Sequence, residues 1–127
     1  MRTRGLVLLA CLLLPGTLLA HAHLESADPA DGAELAEVPA QFELRYSEGI
    51  EARFSAFDLY SVPSSETTDV DGQPRVALAD PEVDAAERTV TLRPETRLEP
   101  GTYILVWEVL AHDGHTTSGE IRFSVLE

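Results

Sequence analysis

No stretch of this chain holds a helical period, while one short run after another alternates apolar and polar residues at the period of two that a half-buried strand requires. From Gln41 to Ser47 the alternation is cleanest, with Phe42, Leu44 and Tyr46 on one face and Gln41, Glu43, Arg45 and Ser47 on the other. Glu120 to Leu126 repeats it, setting Ile121, Phe123 and Val125 against Glu120, Arg122 and Ser124. Thr102 to Leu110 is the longest apolar run and carries Tyr103 and Trp107 into the expected core. Shorter or less regular runs lie at Leu24 to Asp28, Glu34 to Val38, Arg53 to Val62 (with Phe57 and Leu59 as core candidates), Arg75 to Ala79 and Arg88 to Leu92. Turn-forming segments separate them, among them Pro29-Ala30-Asp31-Gly32 and Leu98-Glu99-Pro100-Gly101, and the polar segment Pro63 to Pro74 reads as an exposed loop. About seven short strands with no helix and no repeat predict an all-β antiparallel sandwich of Greek-key, immunoglobulin-like type, whose loops gather at its two ends.

The sandwich does not begin at the first residue. Met1 to Gly5 is short and basic, Leu6 to Leu14 is unbroken apolar sequence, and Pro15 to Ala20 breaks helix and ends on a small residue. This is the layout of a secretory signal peptide, and the apolar run is too short to span a bilayer. Residues 1–20 are therefore expected to be a cleaved leader and 21–127 the domain. Cleavage after Ala20 leaves His21 first, and cleavage after Ala22 leaves His23 first. Leu8-Leu9-Ala10-Cys11 offers a third processing route, acylation of Cys11.

Export narrows the chemistry. The single Cys and single Met are Cys11 and Met1, so the domain holds no disulfide and no sulfur ligand. A domain of roughly 100 residues can still bury a core sufficient to fold without a cross-link. The nine basic residues, all Arg, face 22 acidic ones for a net charge of −13, and loss of Arg2 and Arg4 with the leader makes it more negative. Such a field repels nucleic acid and anionic lipid and attracts cations.

All four histidines fall in two places, His21-Ala22-His23 and His112-Asp113-Gly114-His115. If His21 is the first residue, its α-amine and imidazole can chelate one metal, and an amine that titrates near about 7.7–8.0 gives up its proton at small cost. Asp113 and His115, two apart in an extended segment, would add an oxygen and a nitrogen from one side, with His112 pointing away as a bystander. Three nitrogens and a carboxylate oxygen suit Cu(II), which heads the stability order of divalent first-row ions, and Zn(II) accepts the same donors. His23 introduces a competitor, a tail chelate of amine, two backbone amides and its own imidazole that needs no folded domain. Read as backbone alone, Asp113-Gly114 is a hairpin turn and its neighbouring histidines are solvated loop residues.

Three stretches together resemble the CopC/PcoC family of exported copper-binding proteins: His21-Ala22-His23-Leu24-Glu25-Ser26-Ala27-Asp28-Pro29-Ala30-Asp31-Gly32, then Phe42-Glu43-Leu44-Arg45-Tyr46-Ser47-Glu48, then Pro100-Gly101-Thr102-Tyr103 through Trp107 to Asp113-Gly114-His115 and Ser118-Gly119. The resemblance implies a cupredoxin-like β-sandwich, a mature chain beginning at His21, and Cu(II) ligands at His21 through amine and ring, Asp113 and His115; His23, the tail competitor, is a candidate secondary ligand from the residue pattern alone. It implies a periplasmic copper carrier or buffer in homeostasis or resistance, not an enzyme, with a CopD-type inner-membrane transporter as partner. Some members carry a Met-rich Cu(I) site in the central loop; Pro63 to Pro74 has no Met, which sets this chain with the Cu(II)-only type.

Two other classes compete. A copper monooxygenase also chelates its metal through an N-terminal histidine, but it needs a flat aromatic binding face, and the one Trp, three Tyr and four Phe fall mostly on expected core strands. A metal-free immunoglobulin-like interaction module would leave the histidines incidental and its stability indifferent to copper.

Overall fold

The computed structural model describes residues 21–127; the expected leader, residues 1–20 with Cys11, lies outside the described residues. Nine strands form two sheets: β1 (Leu24–Asp28), β2 (Ala33–Leu35), β3 (Phe42–Tyr46), β4 (Ala56–Val62), β5 (Arg75–Val76), β6 (Glu82–Val83), β7 (Thr89–Leu92), β8 (Gly101–Leu110) and β9 (Thr116–Val125). One sheet runs β1-β3-β7-β6 and the other β2-β9-β8-β4-β5.

Alternation decides which faces meet. Phe42, Leu44 and Tyr46 of β3 and Val90 and Leu92 of β7 are buried against Leu59, Tyr103, Leu105, Trp107, Val109, Ile121, Phe123 and Val125 of the other sheet. Aromatic rings bind the layers together, with Tyr46 edge-on to Trp107 at 5.3 Å between centroids and Phe42 tilted against Phe123 at 5.4 Å. Phe57 sits at the margin of this core, only partly buried. Tyr103 also latches the turn ahead of its own strand, its hydroxyl donating to the Glu99 carbonyl at 2.6 Å.

Four features depart from the periodicity. β2 pairs with β9 in parallel, Ala33 opposite Phe123 and Leu35 opposite Val125, so the sandwich is not wholly antiparallel. The expected strand from Arg53 is delayed by a 3-10 turn at Ala52–Phe54. β6 has only two residues, both exposed, too few for alternation to register. The Pro63 to Pro74 loop is mostly exposed yet anchored: Arg122 donates to the carbonyls of Ser65 and Thr67. Arg122 lies opposite Ile104 on the outer face of its sheet, where Ile104 is fully buried.

β8 and β9 pair over their whole length, from Gly101 opposite Val125 to Leu110 opposite Thr116. β9 thus starts at Thr116, four residues before its clean alternation begins. The connection shrinks to Ala111–His115, the segment that carries two of the four histidines, His112 and His115, together with Asp113.

Candidate metal centre

The connection between β8 and β9 is a closed turn and not an extended segment. The Gly114 amide donates to the Ala111 carbonyl at 3.0 Å and the Ala111 amide to the His115 carbonyl at 2.9 Å. Gly114 has φ +88°, a left-handed conformation that glycine adopts without a Cβ penalty. Asp113 completes the turn, its Oδ1 accepting the His115 amide at 2.9 Å in an Asx arrangement. The hairpin reading and the ligand reading of Asp-Gly therefore describe the same object. The turn fixes the carboxylate, and its second oxygen is left facing the imidazoles.

That oxygen, Oδ2, lies 3.2 Å from His115 Nδ1 and 4.0 Å from His21 Nδ1. The rings of His21 and His115 meet edge to face at 4.5 Å between centroids. One donor atom from each of His21, Asp113 and His115 falls within 4.8 Å of the others. The His115 backbone N–H holds the Asp113 carboxyl below the usual carboxylate range, with smaller contributions from the His115 and His21 imidazoles. The group is a carboxylate, and so a metal donor, through the whole neutral range.

His21 reaches the turn because its arm is held at three points. Ala22 is fully buried, and its carbonyl accepts the Thr117 hydroxyl at 2.8 Å. Ser47, just beyond β3, accepts the His23 amide at 2.8 Å on its hydroxyl oxygen and donates its hydroxyl to the His21 carbonyl at 3.2 Å. The Ser47 amide in turn donates to the His23 carbonyl at 2.8 Å. His23 itself is exposed, its ring 6.5 Å from that of His21. Alternation along an extended segment projects successive side chains to opposite sides, so burying Ala22 turns both flanking histidines outward.

His112 turns away from the other two, as expected of a bystander, although the cause is the turn and not strand alternation. Its Nε2 lies 2.8 Å from Glu87 Oε2. The residues that hold the arm, Ser47 and Thr117, were not evident from the residue pattern. Ser47 sits in the stretch Phe42 to Glu48 that carries the family resemblance, but nothing marks its hydroxyl, and Thr117 lies ahead of the clean alternation of β9.

A β-sandwich with a cluster of oxygen and nitrogen donors at one end, built from its first described residue and its last hairpin, is the class of small domain with a candidate metal centre that this chain presents. The chain belongs to the CopC domain family, whose model matches residues 24–126. It is 34% identical over 129 residues to protein YobA of Escherichia coli strain K12, covering 95% of this chain and 91% of that one. It is 32% identical over 127 residues to copper resistance protein C of Pseudomonas syringae pv. tomato, covering 98% and 96%. The crystal structure of PcoC, a methionine-rich copper resistance protein from Escherichia coli, superposes with a TM-score of 0.68 at 27% identity, covering 84% of this chain and 99% of that one.

Proposed function

We propose that this chain is an exported Cu(II)-binding protein that carries or buffers copper in the periplasm for homeostasis or resistance, and that it does so without catalysis. The observation that carries the reading is the convergence of a His21 ring nitrogen, the Asp113 carboxylate and a His115 ring nitrogen within 4.8 Å of one another, from opposite ends of the described domain. Removal of residues 1–20 frees the His21 α-amine beside its own ring and supplies the third nitrogen. The copper is cargo. The chain's part is to present deprotonated donors in a fixed arrangement and to release the ion to a partner.

The donor chemistry favours the divalent ion. The only Cys and Met are Cys11 and Met1, both within the leader, so the domain presents nitrogen and oxygen alone, which Cu(II) prefers and Cu(I) does not. The methionine-rich relative differs in this respect. The arm also opposes the tail chelate through His23. That chelate requires the Ala22 and His23 amides, whereas Ala22 is buried and the His23 amide is committed to Ser47. Delivery to a CopD-type membrane transporter completes the proposal and rests on the family alone.

Native mass spectrometry of protein exported through its own leader, with one equivalent of Cu(II), tests this reading. The expected species begins at His21 and retains one copper, and His115→Ala loses that copper. A mature chain beginning elsewhere, or copper retained by His115→Ala, overturns it.

A further inference from the structure

His112 stands outside the centre just described, and its surroundings have a composition of their own. Its Nε2 lies 2.8 Å from Glu87 Oε2 and 3.7 Å from Glu51 Oε1, and one donor atom from each of the three residues falls within 4.8 Å of the others. The three come from separate segments: Glu51 precedes the 3-10 turn, Glu87 lies in the β6–β7 turn, and His112 in the β8–β9 turn. The backbone ties those segments together. The Ile50 amide donates to the Glu87 carbonyl at 2.9 Å, the Glu51 amide to the Leu110 carbonyl at 2.8 Å, and the His112 amide to the Gly49 carbonyl at 3.0 Å.

The imidazole is seated as well as tethered. It lies flush on Gly49, where an added Cβ would stand 2.5 Å from its Nδ1 and 2.6 Å from its Cε1. Packing therefore occupies the Nδ1 side and leaves Nε2 as the nitrogen that faces the two carboxylates. A structural ion pair needs one carboxylate, and here two converge on one nitrogen. Among the described residues, His112 is the only ion-pair partner of either Glu51 or Glu87. Two like charges held this close repel unless a cation lies between them. All three side chains are about half exposed, so a hydrated ion can reach them.

We propose that Glu51, Glu87 and His112 form a second cation site, distinct from the His21 centre, that takes a divalent first-row ion of the Zn(II) class with water completing its shell. Two carboxylates and one imidazole are donors that Zn(II) accepts. The absence of sulfur excludes a preference for Cu(I), and the imidazole argues against Mg(II), which is served by oxygen alone.

The test is calorimetric titration of Zn(II) into the exported chain carrying His115→Ala, which removes a ligand from the first centre. One Zn(II) per chain is expected. Adding Glu51→Gln or Glu87→Gln takes away a direct ligand and so costs at least what an outer-shell partner costs, on the order of 10–100-fold in affinity. Gly49→Ala removes no ligand but displaces the ring, and it too weakens Zn(II), with thermal melts confirming that each variant is folded. No Zn(II) uptake by His115→Ala overturns the proposal. So does uptake that both glutamate variants keep, and its loss in a further His23→Ala variant would assign the ion to the N-terminal arm.

Discussion

Thr117 illustrates how much of the first centre depends on a residue that holds no metal. Its hydroxyl donates to the Ala22 carbonyl at 2.8 Å, 95 residues away in sequence, and this contact places the His21 ring over the turn that carries Asp113 and His115. Replacement by Val keeps the shape and removes the donor, leaving a carbonyl of a buried residue without its partner. The cost of such an orphaned group is about 1–3 kcal/mol. Most of it falls on docking of the arm, because the core residues of β8 and β9 keep their contacts. Thr117→Val is therefore expected to weaken Cu(II) binding on the order of tenfold, since about 1.4 kcal/mol is a factor of ten. Competition against a Cu(II) chelator reads the affinity, and a thermal melt of the copper-free protein, expected to stay close to wild type, separates this from general unfolding.

Among the elements, every strand except the two-residue β6 lies on a run that the sequence marks, with β2 and β5 shorter than their runs. β3 buries Phe42, Leu44 and Tyr46 and exposes Glu43 and Arg45, so its sequence states its own two faces. β6 forms because β7 offers it a free edge, a tertiary cause that two residues cannot announce. The approach of His21 to Asp113 and His115 was legible as a family resemblance; the closed turn and the threefold anchoring of the arm were not, because side-chain-to-backbone bonds over long separations leave no local pattern. The β6–β7 hairpin shows what compensates for a short strand. Asp84 Oδ1 accepts the Arg88 amide at 2.8 Å and the Thr89 amide at 3.0 Å. Those bonds, the one from Thr89 foremost, hold its carboxyl below the usual range. A depressed folded-state value means that the carboxylate stabilises the fold above the unfolded-state value of about 3.9, and that this contribution disappears as pH falls through the folded value. Asp84→Asn keeps an acceptor but not the charge. Chemical denaturation should therefore find the variant less stable than wild type at neutral pH, with the gap closing as the solution is acidified below about pH 4.

At the scale of the whole molecule, copper held in the proposed centre would join the start of the domain to its last hairpin, so its binding and the folding of the sandwich would be one equilibrium. An ion that binds only the folded state at a thousandfold excess over its dissociation constant adds about 4 kcal/mol. For a domain of this size that corresponds to a rise in melting temperature of roughly 15–30 °C. The unfolded chain reduces this gain, because a free His21 amine followed by Ala22 and His23 is itself a copper chelator once the fold no longer holds the His23 amide on Ser47. Binding to the unfolded state subtracts from stabilisation. Removing a histidine should therefore increase the copper response: His23→Ala abolishes the tail chelate, leaves His21, Asp113 and His115 in place, and is expected to raise the melting temperature of the copper-loaded protein above that of copper-loaded wild type. Scanning calorimetry with and without one equivalent of Cu(II) measures the difference. The opposite outcome, a smaller copper-induced shift in His23→Ala, would place the ion on the tail and deprive the folded centre of its role.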